Sequence, residues 1–452
     1  MKVTPAVSGI GPARRRSTPI RHPHWRPPLA LLASMTAGAL VLAACGSSSS
    51  GTASAGAKLS VGVVAPFTGS QAQLGKFIVA PCYGATRVIN AAGGVLGHQL
   101  SCLPIDDTGD AADAVPNVTK ALATNSSLAG VLGIDSNVAA TIVPIVENAK
   151  LPMISTNGLS QFSTTRDTYF WRMTAPDVAG GAGMGLWASK QGYKRVAVVF
   201  QNDIGDLGNK PGMLPALQKQ GIAVTKDVTI PGDASSYQSI VNQVRAAKPD
   251  AVILSADTQT SATFLSEYKG LNNGSVPPVI APTDVLDPSF YSAIKKVMGA
   301  TYVVHSLSFV GTYVDTTSPE FQTYYGAVKA SPNVQAPEVV VATGAVASLY
   351  DGLTVLSLAM TAAHSTKGTT YNSFVPKVTT RRSGAVEVHT YAQGVRELKA
   401  GHQIYYVGVT GPVIFNQFHN SPGEFAAFTF TPSGGTKVLQ VIPPAQIASV
   451  LH

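Results

Sequence analysis

The chain has 452 residues, 45% of them hydrophobic and 12% charged, with a formal net charge of +8. A chain that apolar and that sparsely charged is globular rather than disordered, and it is longer than one core usually serves, so two domains are expected. The positive charge does not point to nucleic acid or an anionic surface, because most of its excess sits at the N-terminus.

There, Arg14, Arg15, Arg16, Arg21 and Arg26 precede an apolar run from Leu29 to Leu42 that ends in Leu42-Ala43-Ala44-Cys45. Positive charge, a short apolar stretch and small residues at a cut are the marks of a secretory signal. The run is shorter than the roughly 18 apolar residues of a membrane span, although a short membrane anchor is the alternative reading. Residues 1–44 are therefore expected to be a signal peptide, and its loss leaves 26 basic and 24 acidic residues, a net charge of +2. Leu-Ala-Ala-Cys resembles the bacterial lipobox, which implies a lipid on Cys45 and an extracytoplasmic protein anchored to the cell membrane. Residues 45–57 are rich in Ser, Gly and Ala and read as a flexible tether.

Short apolar runs then alternate with longer amphipathic ones. Strands are expected at Leu59–Ala65, Leu100–Ile105, Leu128–Leu132 and Pro152–Ser155, with helices at Leu74–Ala91, Ala111–Ala123 and up to Ala149. Pro144 is expected to kink the last of these. A second series starts near Ala179. It places strands at Arg195–Phe200, Ala223–Ile230, Ala251–Ser255 and Val276–Ala281, with helices at Gly208–Gln220, Ser236–Ala247 and Thr260–Leu271 between them. Such alternation implies βαβ units around parallel sheets, here two doubly wound α/β lobes. From Thr301 the alternation weakens, apart from a helical run at Val339–Ala363.

Beyond the signal, the remaining cysteines are Cys82, early in a helix, and Cys102, in the next strand. An extracytoplasmic compartment and this placement favour a disulfide, two buried free thiols being the alternative. No Cys/His cluster has ligand spacing, so neither a metal nor a cofactor is expected.

Open α/β sheets bind ligands at the carboxyl ends of their strands. Six such ends carry small polar groups. The first is the Pro66–Gly75 loop with Gln73, which is not a phosphate loop because five residues separate Gly69 and Gly75. The others are Asp135-Ser136-Asn137, Ser155-Thr156-Asn157-Gly158, Gln201-Asn202-Asp203, Ala256-Asp257-Thr258 and Pro282-Thr283-Asp284. Asp, Ser and Asn are also good helix caps, so one such end is uninformative. Six from two lobes converging on one cleft have the form of a small-molecule site.

At these residues the sequence resembles the type I periplasmic-binding-protein family, near the Leu/Ile/Val- and amide-binding proteins of ABC importers. The resemblance spans nearly the whole mature chain and rests on Val64-Ala65-Pro66-Phe67-Thr68-Gly69, Ile89–Gly97, Asp106-Asp107, Leu151–Ser155 and Tyr406–Val413 in that order. It implies two lobes joined by a three-strand hinge, with lobe one formed by 58–175 and 303–366 and lobe two by 176–302 and 367–452. It also implies a monomer that captures an amino-acid- or amide-like solute and hands it to an ABC permease and ATPase. Ser136 matches a loop that holds a ligand carboxylate, and Asn157-Gly158 one that holds carboxylate and ammonium, with Leu159 where the family has a hydroxyl. Asp284 matches an acidic position that pairs a ligand ammonium. Beside Asp203, Ile204-Gly205 stands where the family often has Tyr-Gly. Glu338, at the start of a long helix, is a further candidate, a solvated cap being the equal alternative. A sensor of the same fold is the second functional reading. A hydrolase is not expected, since the chain carries neither a Gly-x-Ser-x-Gly nor a His-Glu-x-x-His motif.

Overall fold

Val61, Val63, Val64 and Ala65 expose no surface, as a strand covered by helices on both faces requires. They lie in β1 (Gly56–Ala65), the second-position strand of a five-stranded sheet. The computed structural model describes residues 56–69, 71–286, 288–334, 343–421 and 423–451. The expected signal, Cys45 and Glu338 lie outside them. Gly56 and Ala57, read as the end of the tether, instead open β1.

The first sheet continues with β2 (His98–Asp106), β3 (Leu128–Gly133), β4 (Met153–Ser155) and β5 (Phe170–Arg172). Its order is β2-β1-β3-β4-β5, parallel throughout. The second series supplies β6 (Arg195–Gln201), β7 (Ala223–Ile230), β8 (Ala251–Ser255), β9 (Val279–Pro282) and β10 (Leu307–Thr312). Three short strands follow, β11 (Val386–Val388), β12 (Ile404–Gly408) and β13 (Gly411–Pro412), which form a small sheet of their own. Finally β14 (Phe425–Phe430) and β15 (Thr436–Ile442) extend the second sheet to the order β15-β14-β10-β9-β8-β6-β7. The expected helices of both series are present within a few residues. Pro144 sits inside a continuous Ser136–Asn148 helix, near its end, where it removes one backbone donor.

The two lobes differ from the expected division at its later boundaries. Val303, Leu307 and Phe309 pack into the core of the second sheet, so 303–312 belong to lobe two. Val314, Tyr324, Tyr371, Val375, Tyr391 and Tyr406 pack with the Gly344–Ala362 helix and the first sheet, so the described residues between 314 and 413 belong to lobe one, which does not end at 366. The cause is burial: this segment has no clear alternation, but its aromatic residues cover the Gly344–Ala362 helix. That helix alone, among the described residues, is long and apolar enough to cross a membrane, and most of it is buried in the lobe-one core.

The chain passes between the lobes three times, side by side. After β5 it enters lobe two at 173–176; after β10 it returns; beyond Asn420 it crosses again into β14. The first and third passages are bonded by Arg172 N–H to His419 O (2.9 Å) and Ser421 N–H to Arg172 O (2.8 Å). The second and third are bonded by Tyr313 N–H to Glu424 O (2.7 Å) and by antiparallel pairing of Thr312 with Phe425. The buried Arg172 guanidinium donates to Asn420 Oδ1 (2.6 Å), Leu159 O (3.0 Å) and Ser163 Oγ (2.9 Å).

Two features lock lobe one. Cys82 and Cys102 are disulfide-bonded across helix and strand, Cα atoms 6.1 Å apart; by chain entropy a loop of this size contributes about 3 kcal/mol. Asp351, on the Gly344–Ala362 helix, has no exposed surface. It accepts from Tyr406 Oη (2.8 Å), Val409 N (2.9 Å), Thr410 N (2.8 Å) and Thr410 Oγ1 (2.7 Å). A side chain at Gly408 would collide with this carboxylate.

Candidate functional site

A cavity of about 260 Å³ lies between the lobes, at the carboxyl ends of both sheets. Its walls are the strand-to-helix turns, and how each turn is built decides what faces inward. At the end of β3, Gly133 (φ 93°) and Ile134 (φ 60°) both take left-handed backbone. A Cβ at Gly133 would collide with Val64 O. This turn aims Asp135 at the start of the Ser136–Asn148 helix, where its Oδ1 accepts from Asn137 N (2.8 Å). Asp203 caps the short helix Ile204–Leu207 through Asp206 N (2.9 Å), and Asp257 caps Thr258–Leu271 through Thr260 N (2.8 Å). The capping and cleft-facing readings of these residues are therefore compatible: each does the first while lining the cavity.

Of the sequence candidates, Gln73, Ser136, Asn137, Gly158, Asp203, Asp257, Thr258 and Asp284 line the cavity. Ser136 Oγ accepts from Gly158 N (3.0 Å), and Asn137 Nδ2 donates to Gln71 Oε1 (3.2 Å). A Cβ at Gly205 of lobe two would lie 3.8 Å from that of Ser136 in lobe one, so the lips of the cleft meet there. Asn157 is different. It is fully buried, its Nδ2 donates to Ser155 Oγ (2.7 Å) and its Oδ1 accepts from Leu159 N (3.2 Å). It shapes the loop rather than lining the cavity.

Two lining carboxylates, Asp177 and Asp206, escaped the sequence reading, and Asp135 entered it only as part of its strand-end run. Asp177 opens the Asp177–Lys190 helix just after the first passage, directly behind Pro176. That Pro-Asp pair ahead of a helical run was the available signal. Gly158 exists for it, since a Cβ at that position would collide with Asp177 Oδ1. Asp206 accepts a short hydrogen bond from Ser255 Oγ.

Six aspartates thus line one cavity, and among its described lining residues there is no Lys, Arg or His. Burial, then the Asp284 charge, push Asp177 up to about 8, against a smaller opposing pull from Arg172. Burial and then Asp203 push Asp284 up to about 6. The same two causes hold Asp206 well above the usual carboxylate range. Burial also raises Asp135, although its own helix N–H groups pull it down. The Asp284 side chain stands open to the cavity, and no hydrogen-bond donor among the described residues acts on it. Oδ2 of Asp177 and Oδ2 of Asp135 likewise have no partner among the described residues. The cation beneath, Arg172, is spent on neutral acceptors and is itself lowered to about 10 by burial. The remaining wall mixes amides and hydroxyls such as Gln73, Asn209 and Thr312 with the apolar Phe77, Leu349 and Phe425.

Comparison with known proteins agrees with this architecture. A leucine-binding protein, LivK, from Thermotoga maritima superposes with a TM-score of 0.67 at 18% identity, covering 86% of this chain and 99% of that one. LivJ, a branched-chain amino acid transporter substrate-binding protein from Streptococcus pneumoniae in complex with isoleucine, gives 0.67 at 19% identity, covering 86% and 100%. An ABC-transporter solute-binding protein from R. palustris in complex with benzoate gives 0.65 at 19%, covering 86% and 97%. No curated protein matches the sequence. Residues 58–392 match the family model described as periplasmic binding protein. With that match over most of its length, two lobes and three adjacent passages, the chain belongs to the periplasmic binding protein family and has the type I fold of its ABC-transporter substrate-binding members.

Proposed function

We propose that this chain is an extracytoplasmic lipoprotein, held to the cell membrane through Cys45, that captures a small polar solute of amino-acid or amide size. It delivers the solute to the permease and ATPase of an ABC importer, acting as a monomer, without a cofactor and without transforming what it binds. The observation that carries this reading is a single cavity walled by the strand ends of both lobes. A solute that touches both walls ties them together, and closure becomes the signal the importer reads. Asp284, open to the cavity and without a hydrogen-bond donor among the described residues, is the seat for an amine on that solute.

Thermal unfolding of the purified protein against amino acids, amides, urea, polyamines and aromatic acids tests the reading. A true solute at about 100 times its Kd adds roughly 2.7 kcal/mol of stability. If no compound of the panel raises the melting temperature, and small-angle scattering shows no compaction with any of them, solute capture is refuted.

A further inference from the structure

Resting on the solute-capture reading, we propose that the cleft takes a net-positive organic amine or guanidine, with Asp284 and Asp203 as its first partners. The grounds are geometric. Three helices of at least 13 residues start at the cleft: Ser136–Asn148, Asp177–Lys190 and Thr258–Leu271. A helix N-terminus is ordinarily where a ligand carboxylate binds. Here each of the three brings its own aspartate, Asp135, Asp177 or Asp257, to its first turn or cap. The place at Ser136 where the resemblance implied a ligand carboxylate is therefore already occupied by Asp135.

Two further N-termini reach the cavity with neutral caps, Gln71 before Ala72–Ala91 and Thr343 before Gly344–Ala362. Each supplies about half a positive charge, about one charge together against six carboxylates, part of whose charge is cancelled by the protons that burial makes Asp177 and Asp206 hold. Asp107, fully buried behind Asp135, adds to the negative side, and its Oδ2 has no partner among the described residues. The lips nevertheless meet at Ser136 and Gly205, so the closed cleft gathers like charges from both lobes with no Lys, Arg or His among its described lining residues. A cationic solute is the missing counter-charge. Among the described residues no three His, Cys, Asp or Glu side chains are placed to hold a metal ion. The apolar wall of Phe77, Leu349 and Phe425 suits the carbon skeleton of an amine.

Calorimetric titration of the purified protein at pH 8 with matched probe pairs tests this. 1,5-Diaminopentane is paired with lysine and agmatine with arginine, so that each pair differs by one carboxylate; leucine and benzoate are the net-neutral and anionic controls. At least one cationic probe is expected to bind 30-fold or more tightly than leucine or benzoate. Within each pair the tighter member shows whether the neutral N-termini also hold a carboxylate. Asp284→Asn is expected to weaken the cation at least 30-fold while the unliganded protein still melts cooperatively. Affinity is expected to fall from pH 8 to pH 5, since protons compete for carboxylates whose affinity for them burial has raised. Tighter binding of leucine or benzoate than of every cationic probe, or affinity that rises as pH falls, overturns the cationic class and leaves solute capture standing. Absence of binding by all six probes overturns the cationic class, while the thermal panel above decides capture separately.

Discussion

Two aspartates set lobe one and the cleft apart. Asp351 is sealed inside lobe one with four donors of its own, supplied by Tyr406, Val409 and Thr410. Asp284 stands at the cleft with none among the described residues, facing the charge of Asp203. Burial pushes both upward, but only one has been given hydrogen bonds in return. A carboxylate that owns its donors belongs to the scaffold, because removing it strands them. A carboxylate that owns none costs the fold something to keep and is explained by what it meets from outside.

The largest consequence of a single substitution falls on the scaffold. Asp351→Ala orphans two backbone N–H groups and two hydroxyls in a dry site, and is expected to cost about 3–5 kcal/mol in chemical denaturation. A loss below about 1 kcal/mol would dissolve the distinction between the two sites.

A graded effect is expected from pH. Asp177 (about 8), Asp107 (about 7) and Asp284 (about 6) are all raised in the folded protein above the roughly 3.9 of an unfolded aspartate. Between about pH 4 and 8 the folded state therefore binds more protons than the unfolded one. The stability of the solute-free protein should fall as pH rises through that window, against the smaller opposite contribution of the one histidine that burial lowers, His419. Melting temperatures across it should decline, and a bound cation should flatten the decline. Below about pH 4 the depressed Asp106 and Asp250 act in the opposite sense. A solute-free melting temperature that climbs from pH 5 to pH 8 would contradict the charge pattern of the cleft.

The smallest effect sharpens the contrast most. Asp284→Asn removes a charge with no donor to strand, so the solute-free stability at pH 8 should change by less than about 0.5 kcal/mol, or rise. A destabilisation comparable to that of Asp351→Ala would mean that Asp284 is part of the scaffold after all.

Most of the frame was legible in the sequence. Between Leu59 and Ala281 the strand and helix periods are clear, since the inner strands are apolar runs covered on both faces, and the polar strand ends follow from that order. The Tyr406–Val413 motif was legible as a signpost, but its task of bringing donors to Asp351, some 55 residues away, has no local signal. The lobe boundaries near 313 and 421 were not legible either, because a passage of a few extended residues has no period to read. Asn157 and Asp177 mark the limit at the site itself. A polar residue at a strand end can face the cavity or turn back into its own loop, and Asn157 turns back onto Ser155 and Leu159. Asp177 follows no strand of the sequence-expected series, so a rule about strand ends passed it by.

The side-by-side passages have a mechanical consequence. Arg172 and Asn420 clamp the first and third together on the lobe-one side, and the Trp171 ring stacks on His419 with centroids 3.9 Å apart. That side of the joint is stiff. Rotation of one lobe against the other is then taken up by the few backbone torsions beyond the clamp, from Thr174 to Pro176 and around Tyr313, as in other hinged proteins. Such a joint behaves as a soft torsion spring with a hard mount: it fixes the direction in which the jaws swing but resists the swing little. The force that holds the jaws shut must then come from whatever lies between them, and the same small rotation that lets go of a solute separates the aspartates of one lobe from those of the other.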